Sequence, residues 1–143
     1  MRRTGADQLV HDRMVLTAIN WLKKRGYQNF SADLDSYLDK PLLLKGEVDG
    51  KTVQHRPDIA CQDPSGNWLI AEVETCSSLT TEHTRSQWML FRKIARMEGW
   101  GFMIGFPKHC RDVRGKQEIT TDDVVRGFLK AYGIDCEMRL QIS

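Results

Sequence analysis

Apolar residues recur along this chain with two distinct periods, and the alternation between them lays out its elements. From Asp7 to about Gly26, Val15, Ala18, Ile19 and Leu22 fall at three- and four-residue steps, which predicts an amphipathic helix. Lys23, Lys24 and Arg25 suit the negative end of its dipole, and Gly26 is a C-terminal stop. Asn29–Leu34 and Leu42–Val48 read as strands separated by the turn-like stretch 35–41. Asp49-Gly50 is a hairpin signal, so Val53–Gln62 is expected to return antiparallel to Leu42–Val48. The turn residues 63–67 lead into the strand Trp68–Glu74. A long helix then runs from a Thr80 or Thr81 cap to about Glu98, with Trp88, Phe91, Ile94 and Ala95 on one face. Gly101–Phe106 reads as a buried strand and Lys108–Glu118 as a polar, basic loop. A last helix follows Thr120 or Thr121, with Val124, Val125, Phe128, Leu129 and Tyr132 inward and Gly133 as stop. Cys136–Ile142 alternates as an edge strand would. This order predicts an α/β fold over 1–143 as one domain, with a mixed central β-sheet flanked by helices.

Composition narrows the class further. A chain of 143 residues with 41% hydrophobic and 28% charged side chains is long enough to bury a core and too apolar to be disordered. No run approaches the roughly 18 apolar residues of a membrane span, and the basic N-terminus lacks an apolar core, so a cytoplasmic protein with no membrane partner is expected. Cys61, Cys76, Cys110 and Cys136 form no CxxC pair, and the histidines show no HxxxH spacing. Neither a zinc ribbon nor a redox motif is indicated, and the cysteines are expected as buried thiols.

The formal charge of +2 conceals an arrangement. Residues 1–30 carry +4, residues 31–75 carry −5 and residues 76–143 carry +3. Ordinary surface patterning is one reading. The other is a carboxylate cluster suited to hard cations, set among groups suited to phosphates.

The residues that bear on this choice lie in 55–75. Asp58 falls within one strand, and Glu72 and Glu74 fall on the next. Strand side chains alternate, so Glu72 and Glu74 share a face about 7 Å apart, and the short hairpin brings Asp58 beside them. Glu-x-Glu on a strand is often a solvated outer face. Here the strand leads directly into an amphipathic helix that covers one face of the sheet, and three converging carboxylates repel unless a cation offsets them. His55, three residues before Asp58, falls on the opposite face of a regular strand and is left out of the site.

Pro57-Asp58, thirteen residues, then Glu72-Val73-Glu74 resembles the motif of the PD-(D/E)XK nuclease superfamily. The order of elements is similar too: helix, motif-bearing hairpin, long helix, strand. The resemblance covers roughly residues 5–106 and implies a restriction-endonuclease-like fold, close in size to Holliday-junction resolvases. It implies catalytic roles for Asp58, Glu72 and Glu74, with Asp58 and Glu72 as ligands of Mg²⁺ (or Mn²⁺). Glu74 stands where the family usually has lysine, so that position offers a proton acceptor in place of a positive charge. The family often carries an acid on its first helix, and Asp12, in line with Val15, Ile19 and Leu22, is the candidate third ligand. Gln87 with Phe91 resembles the Q-x-x-x-Y element of RecB-like branches. Arg85, Gln87, Arg92, Lys93 and the basic loop 108–116 are candidate nucleic-acid contacts.

The expected function is therefore metal-dependent hydrolysis of phosphodiester bonds, with DNA as the expected partner and a homodimer as a possible assembly. The alternative is a nuclease-fold protein without catalysis that binds nucleic acid or another protein, which the missing lysine favours.

Overall fold

The computed structural model describes residues 5–110 and 120–143, and the greater part of the basic loop, 111–116, lies outside them. The first helix, α1 (Gly5–Lys23), precedes β1 (Gln28–Ala32), β2 (Leu44–Val48), β3 (Lys51–His55), β4 (Ile59–Gln62) and β5 (Trp68–Val73). Then follow α2 (Glu82–Glu98), β6 (Gly101–Pro107), α3 (Thr121–Tyr132) and β7 (Met138–Ile142). β1, β4, β5, β6 and β7 form, in that order, a five-stranded mixed sheet. The β1–β4 and β4–β5 pairs are antiparallel, whereas β5–β6 and β6–β7 are parallel. The parallel pairs arise because α2 and α3 carry the chain back across the sheet.

Alternation along the strands sorts the side chains into two cores. Ile59, Cys61, Leu69, Ala71 and Val73 face α1 and pack on Val15, Ala18, Ile19 and Leu22. Ile70, Phe102, Ile104 and Phe106 face the other way, against Trp88, Phe91 and Ala95 of α2 and Val125 and Leu129 of α3. The expected mixed sheet flanked by helices is thus present. Thr81 caps α2 by accepting the Thr84 N–H, Thr120 caps α3, and Gly99 and Gly133 close the two helices in the left-handed conformation.

Three departures from the periodicity have identifiable causes. The stretch read as one strand, Val53–Gln62, is two strands in two sheets. Pro57 lacks an N–H and restricts the residue before it, so the chain leaves one ladder at His55 and enters another at Ile59. β2 and β3 consequently form a separate hairpin, closed by Asp49 and Gly50, both at positive φ. This hairpin lies against α2, where a Cβ on Gly46 would come within 2.8 Å of the Leu90 side chain. Leu42 and Leu43 precede β2 as exposed residues, and Tyr132 is also largely exposed.

The cysteines depart furthest. Cys61 and Cys136 are free, with burial pushing the Cys61 thiol up to about 12 and the Cys136 thiol up to about 11. Cys76 and Cys110, expected as buried thiols, form a disulfide, and Cys76 is exposed. Its two halves are 34 residues apart in the chain and meet because β5 and β6 run side by side.

One ion pair fastens the far edge of the second core. Arg92, a buried residue of α2, donates through Nη1 to Glu137 Oε2 at 2.8 Å, and the same oxygen accepts the Phe102 N–H at 2.9 Å. Burial raises the Glu137 carboxyl, and the bonds from Arg92 and Phe102 outweigh it, leaving its pKa below the ordinary 4.5. A carboxyl depressed by folding stabilises the fold above its unfolded pKa and loses that contribution as pH falls through its folded one. Glu137→Gln is expected to destabilise the protein by up to about 1 kcal/mol at pH 7, since the carboxylate is partly solvated. Urea melts of the two proteins should converge as the pH drops below the usual glutamate range.

Candidate active site

The β4–β5 register places the acids. Ile59 pairs with Ala71, so one step back Asp58 lies opposite Glu72 on the face turned toward α2. Each carboxylate reaches across to the other strand's backbone. The Asp58 N–H donates to Glu72 Oε1 at 3.1 Å, and the Val73 N–H donates to Asp58 Oδ2 at 2.8 Å. Glu74, two residues beyond Glu72, leaves the strand just after its N–H donates to the Gly105 carbonyl. Its Oε2 accepts from the hydroxyls of Ser78 at 3.1 Å and Thr84 at 3.3 Å. Asp58 is 9% exposed, and Glu72 and Glu74 are 2% exposed each, so the solvated-face reading of these acids does not hold.

Burying two facing carboxylates makes one of them hold a proton. Burial, and next the Asp58 charge, push Glu72 well above the usual carboxylate range. Burial acts in the same direction on Asp58, but hydrogen bonds from Glu72, His11 and the Val73 N–H outweigh it and lower its pKa. Of the two, Glu72 is therefore the one that holds a proton more readily, and the negative charge favours Asp58.

His11 is the member that periodicity did not single out. It is buried on α1, with Nε2 at 3.2 Å from Asp58 Oδ2 and Nδ1 at 3.3 Å from Asp12 Oδ1. A neutral imidazole donates from one nitrogen only, so two carboxylates can both be served only by the imidazolium. Asp12, expected to point at the metal from α1, is reached only through this ring and also accepts from Gln8 Nε2 at 2.7 Å. The helical line toward the sheet runs through His11, Val15, Ala18 and Leu22, one position away from Asp12.

These groups open into a cleft of about 810 Å³ between the N-terminal turn of α1, the 75–81 loop and the first turns of α2. Asp58, Glu72, Glu74 and Gln87 all line it, joined by His11, Arg56 and His83. The other expected nucleic-acid contacts lie elsewhere. Arg85 pairs with Glu82 and Asp49, Arg92 is buried on Glu137, and Lys93 donates to the Glu47 carbonyl at 3.2 Å. His55, as expected, is outside the acid cluster: its ring stacks edge-on against His83 and lies 3.3 Å from the Ser86 hydroxyl.

Among the described residues, no three His, Cys, Asp or Glu side chains are already arranged as a metal's ligand set. The bonds above account for this, since Asp58 and Glu72 are turned toward each other and toward backbone N–H groups. Comparison of the chain with family models, with curated proteins and with solved structures finds no match. Among the described residues, no helix is long and apolar enough to cross a membrane.

The disulfide bears on this cleft because Cys76 is two residues past Glu74 and opens the loop that supplies Ser77 and Ser78 to its wall. Unfolded without reductant, the protein should show two reactive thiols in a colorimetric titration, against four after reduction. Replacing both Cys76 and Cys110 by serine should lower stability by about 2–4 kcal/mol.

Proposed function

We propose that this chain is a metal-dependent nuclease that hydrolyses phosphodiester bonds, with DNA as the expected substrate, on a restriction-endonuclease-like form of the mixed sheet. The observation that carries the proposal is the burial of Asp58 directly opposite Glu72, with Glu74 in the same open cleft. A purely structural pair of acids gains nothing from being buried against a like charge, and burial of an ionised carboxylate costs several kcal/mol.

The donor set fits a hard divalent cation. Asp58, Glu72 and Glu74 offer only carboxylate oxygens, which suits Mg²⁺ or Mn²⁺ and not a thiophilic metal. A cation would also relieve the repulsion from Asp58 that, with burial, raises the Glu72 pKa. Asp58 and Glu72 would hold it. When bound, such an ion supplies positive charge at the phosphate and makes a coordinated water more acidic.

The protein's own groups do the rest. His11 and the Val73 N–H fix Asp58 in place. Ser78 from the 75–81 loop and Thr84 from the first turn of α2 hold Glu74, so its carboxylate is oriented to accept a proton from the attacking water. Gln87, one turn further along α2, lines the same cleft and can donate to a phosphate or a base. Asp12 acts at one remove, as the outer partner of His11.

Incubation of the protein with branched, linear and single-stranded DNA, in Mg²⁺ and then Mn²⁺, should give cutting that a chelator abolishes. Asp58→Asn and Glu72→Ala should each lower the rate by more than about a hundredfold, since even the partners of metal ligands contribute ten- to a hundredfold. Without metal, Glu72→Ala should melt below the wild type because the buried Asp58 N–H loses its acceptor, whereas in Asp58→Asn the repulsion removed offsets the weakened His11 contact. The upward shift in melting temperature that Mn²⁺ gives the wild type should be lost in both. DNA binding with no cutting under any metal would instead favour the non-catalytic binding module.

A further inference from the structure

Arg56 is a cation that the fold positions without a carboxylate partner among the described residues. Arg85, Arg92, Arg96, Arg126 and Arg139 each hold a carboxylate. Arg56 holds none among the described residues, although it is half-buried in a cleft lined by Asp58, Glu72 and Glu74. It is also the sole lysine or arginine among the described residues that line that cleft.

Its placement follows from the local chain. Arg56 is the bridge between β3 and β4, immediately before Pro57, which confines it to an extended backbone. Its Nη1 donates to the Pro41 carbonyl at 3.1 Å, so one corner of the guanidinium is tied to neutral backbone. The remaining donors take no acceptor among the described residues. A guanidinium has five N–H groups in a planar fork that matches a phosphate, and a cation held beside acids without joining them is available to an anion from outside.

We propose that Arg56 binds a non-bridging phosphate oxygen of the nucleic-acid backbone in this cleft, taking over the positive charge that Glu74 cannot supply. This rests on the nuclease reading above and adds to it the group that recognises the substrate's phosphate. The charge enters from the β3–β4 junction, on the Asp58 side of the acid pair, whereas a motif lysine would enter from the end of β5.

The test is the binding of a fluorescein-labelled DNA duplex, followed by anisotropy in Ca²⁺ over a salt series, with cutting in Mg²⁺ measured in parallel. Arg56→Gln should weaken binding about tenfold and reduce the slope of log affinity against log salt by about one. Arg56→Lys should restore the slope. Lys24→Gln, a charge removed beyond the opposite end of α1, should leave both unchanged. A merely structural role would shift the melting temperature and leave the salt slope alone. If the wild type cuts and Arg56→Gln binds with an unaltered slope, the assignment of Arg56 is wrong while the nuclease reading stands. If the wild type binds through Arg56 but never cuts, the phosphate contact stands and the nuclease reading falls. If the wild type binds no DNA at low salt, both fall.

Discussion

Two carboxylates that face each other out of water set the conditions for everything around them. Asp58 and Glu72 are opposed because the β4–β5 ladder is antiparallel and in register, and that register is in turn held by the apolar alternation on either side of it. A shift of one residue would send Leu69, Ala71 and Val73 toward α2 and both acids into the α1 core. The core thus imposes the repulsion. The compensations are local: opposed pKa shifts of the two acids, two backbone N–H donors and the ring of His11. Glu74 is handled separately, by hydroxyls at the N-terminal end of α2. None of these is needed for the hydrophobic layers to pack. They are needed only because the acids are there.

The break at Arg56-Pro57 has a similar double character. It ends the β2–β3 hairpin, which leaves the main sheet and lies along α2, and it starts β4 with Asp58 already opposite Glu72. A continuous strand from Val53 to Gln62 would have kept Arg56 in the ladder. The proline instead takes that residue out of the ladder to a position lining the cleft, so one chain break sets both the edge of the sheet and the cationic residue at the site.

Periodicity made most of the fold legible, because burial on one face is what both apolar periods record. Four strands of the sheet and the three helices follow from it, with each cap placed to within a residue, whereas the same periodicity merges β4 with β3 into one strand. The acid triplet was equally visible, since Pro57-Asp58 and Glu72-Val73-Glu74 are close in sequence and strand geometry fixes their face. What escaped depends on long-range proximity. Cys76 and Cys110 meet only because β5 and β6 are parallel neighbours, which no local spacing encodes. Arg92 was read as a phosphate contact because its charge falls in a basic stretch, yet its partner Glu137 lies 45 residues away. His11 was within reach, since it continues the line of Val15, Ala18 and Leu22, but a helical line has width and Asp12 lies beside it.

The same distinction corrects the meaning of the charge profile. Read along the chain, the −5 middle segment with positive flanks looks like a metal site bordered by phosphate-binding groups. In three dimensions the arginines of the C-terminal flank that lie on α2, α3 and β7 are consumed by carboxylates on their own helix or on nearby segments: Arg85 by Glu82 and Asp49, Arg92 by Glu137, Arg96 by Asp135, Arg126 and Arg139 by Asp122. Those pairs neutralise the surface of α2 and α3 and leave the cleft acidic apart from Arg56 and its histidines. An acidic cleft repels a polyanion at the range of a Debye length, about 8 Å in physiological salt. On the proposed nuclease reading, attraction would come from charge delivered inside the cleft, by a cation on Asp58 and Glu72 and by Arg56, which lines the same cleft. On that reading the protein would engage a phosphate backbone only where its site is loaded, and metal occupancy would be a condition of substrate binding as well as of the chemistry.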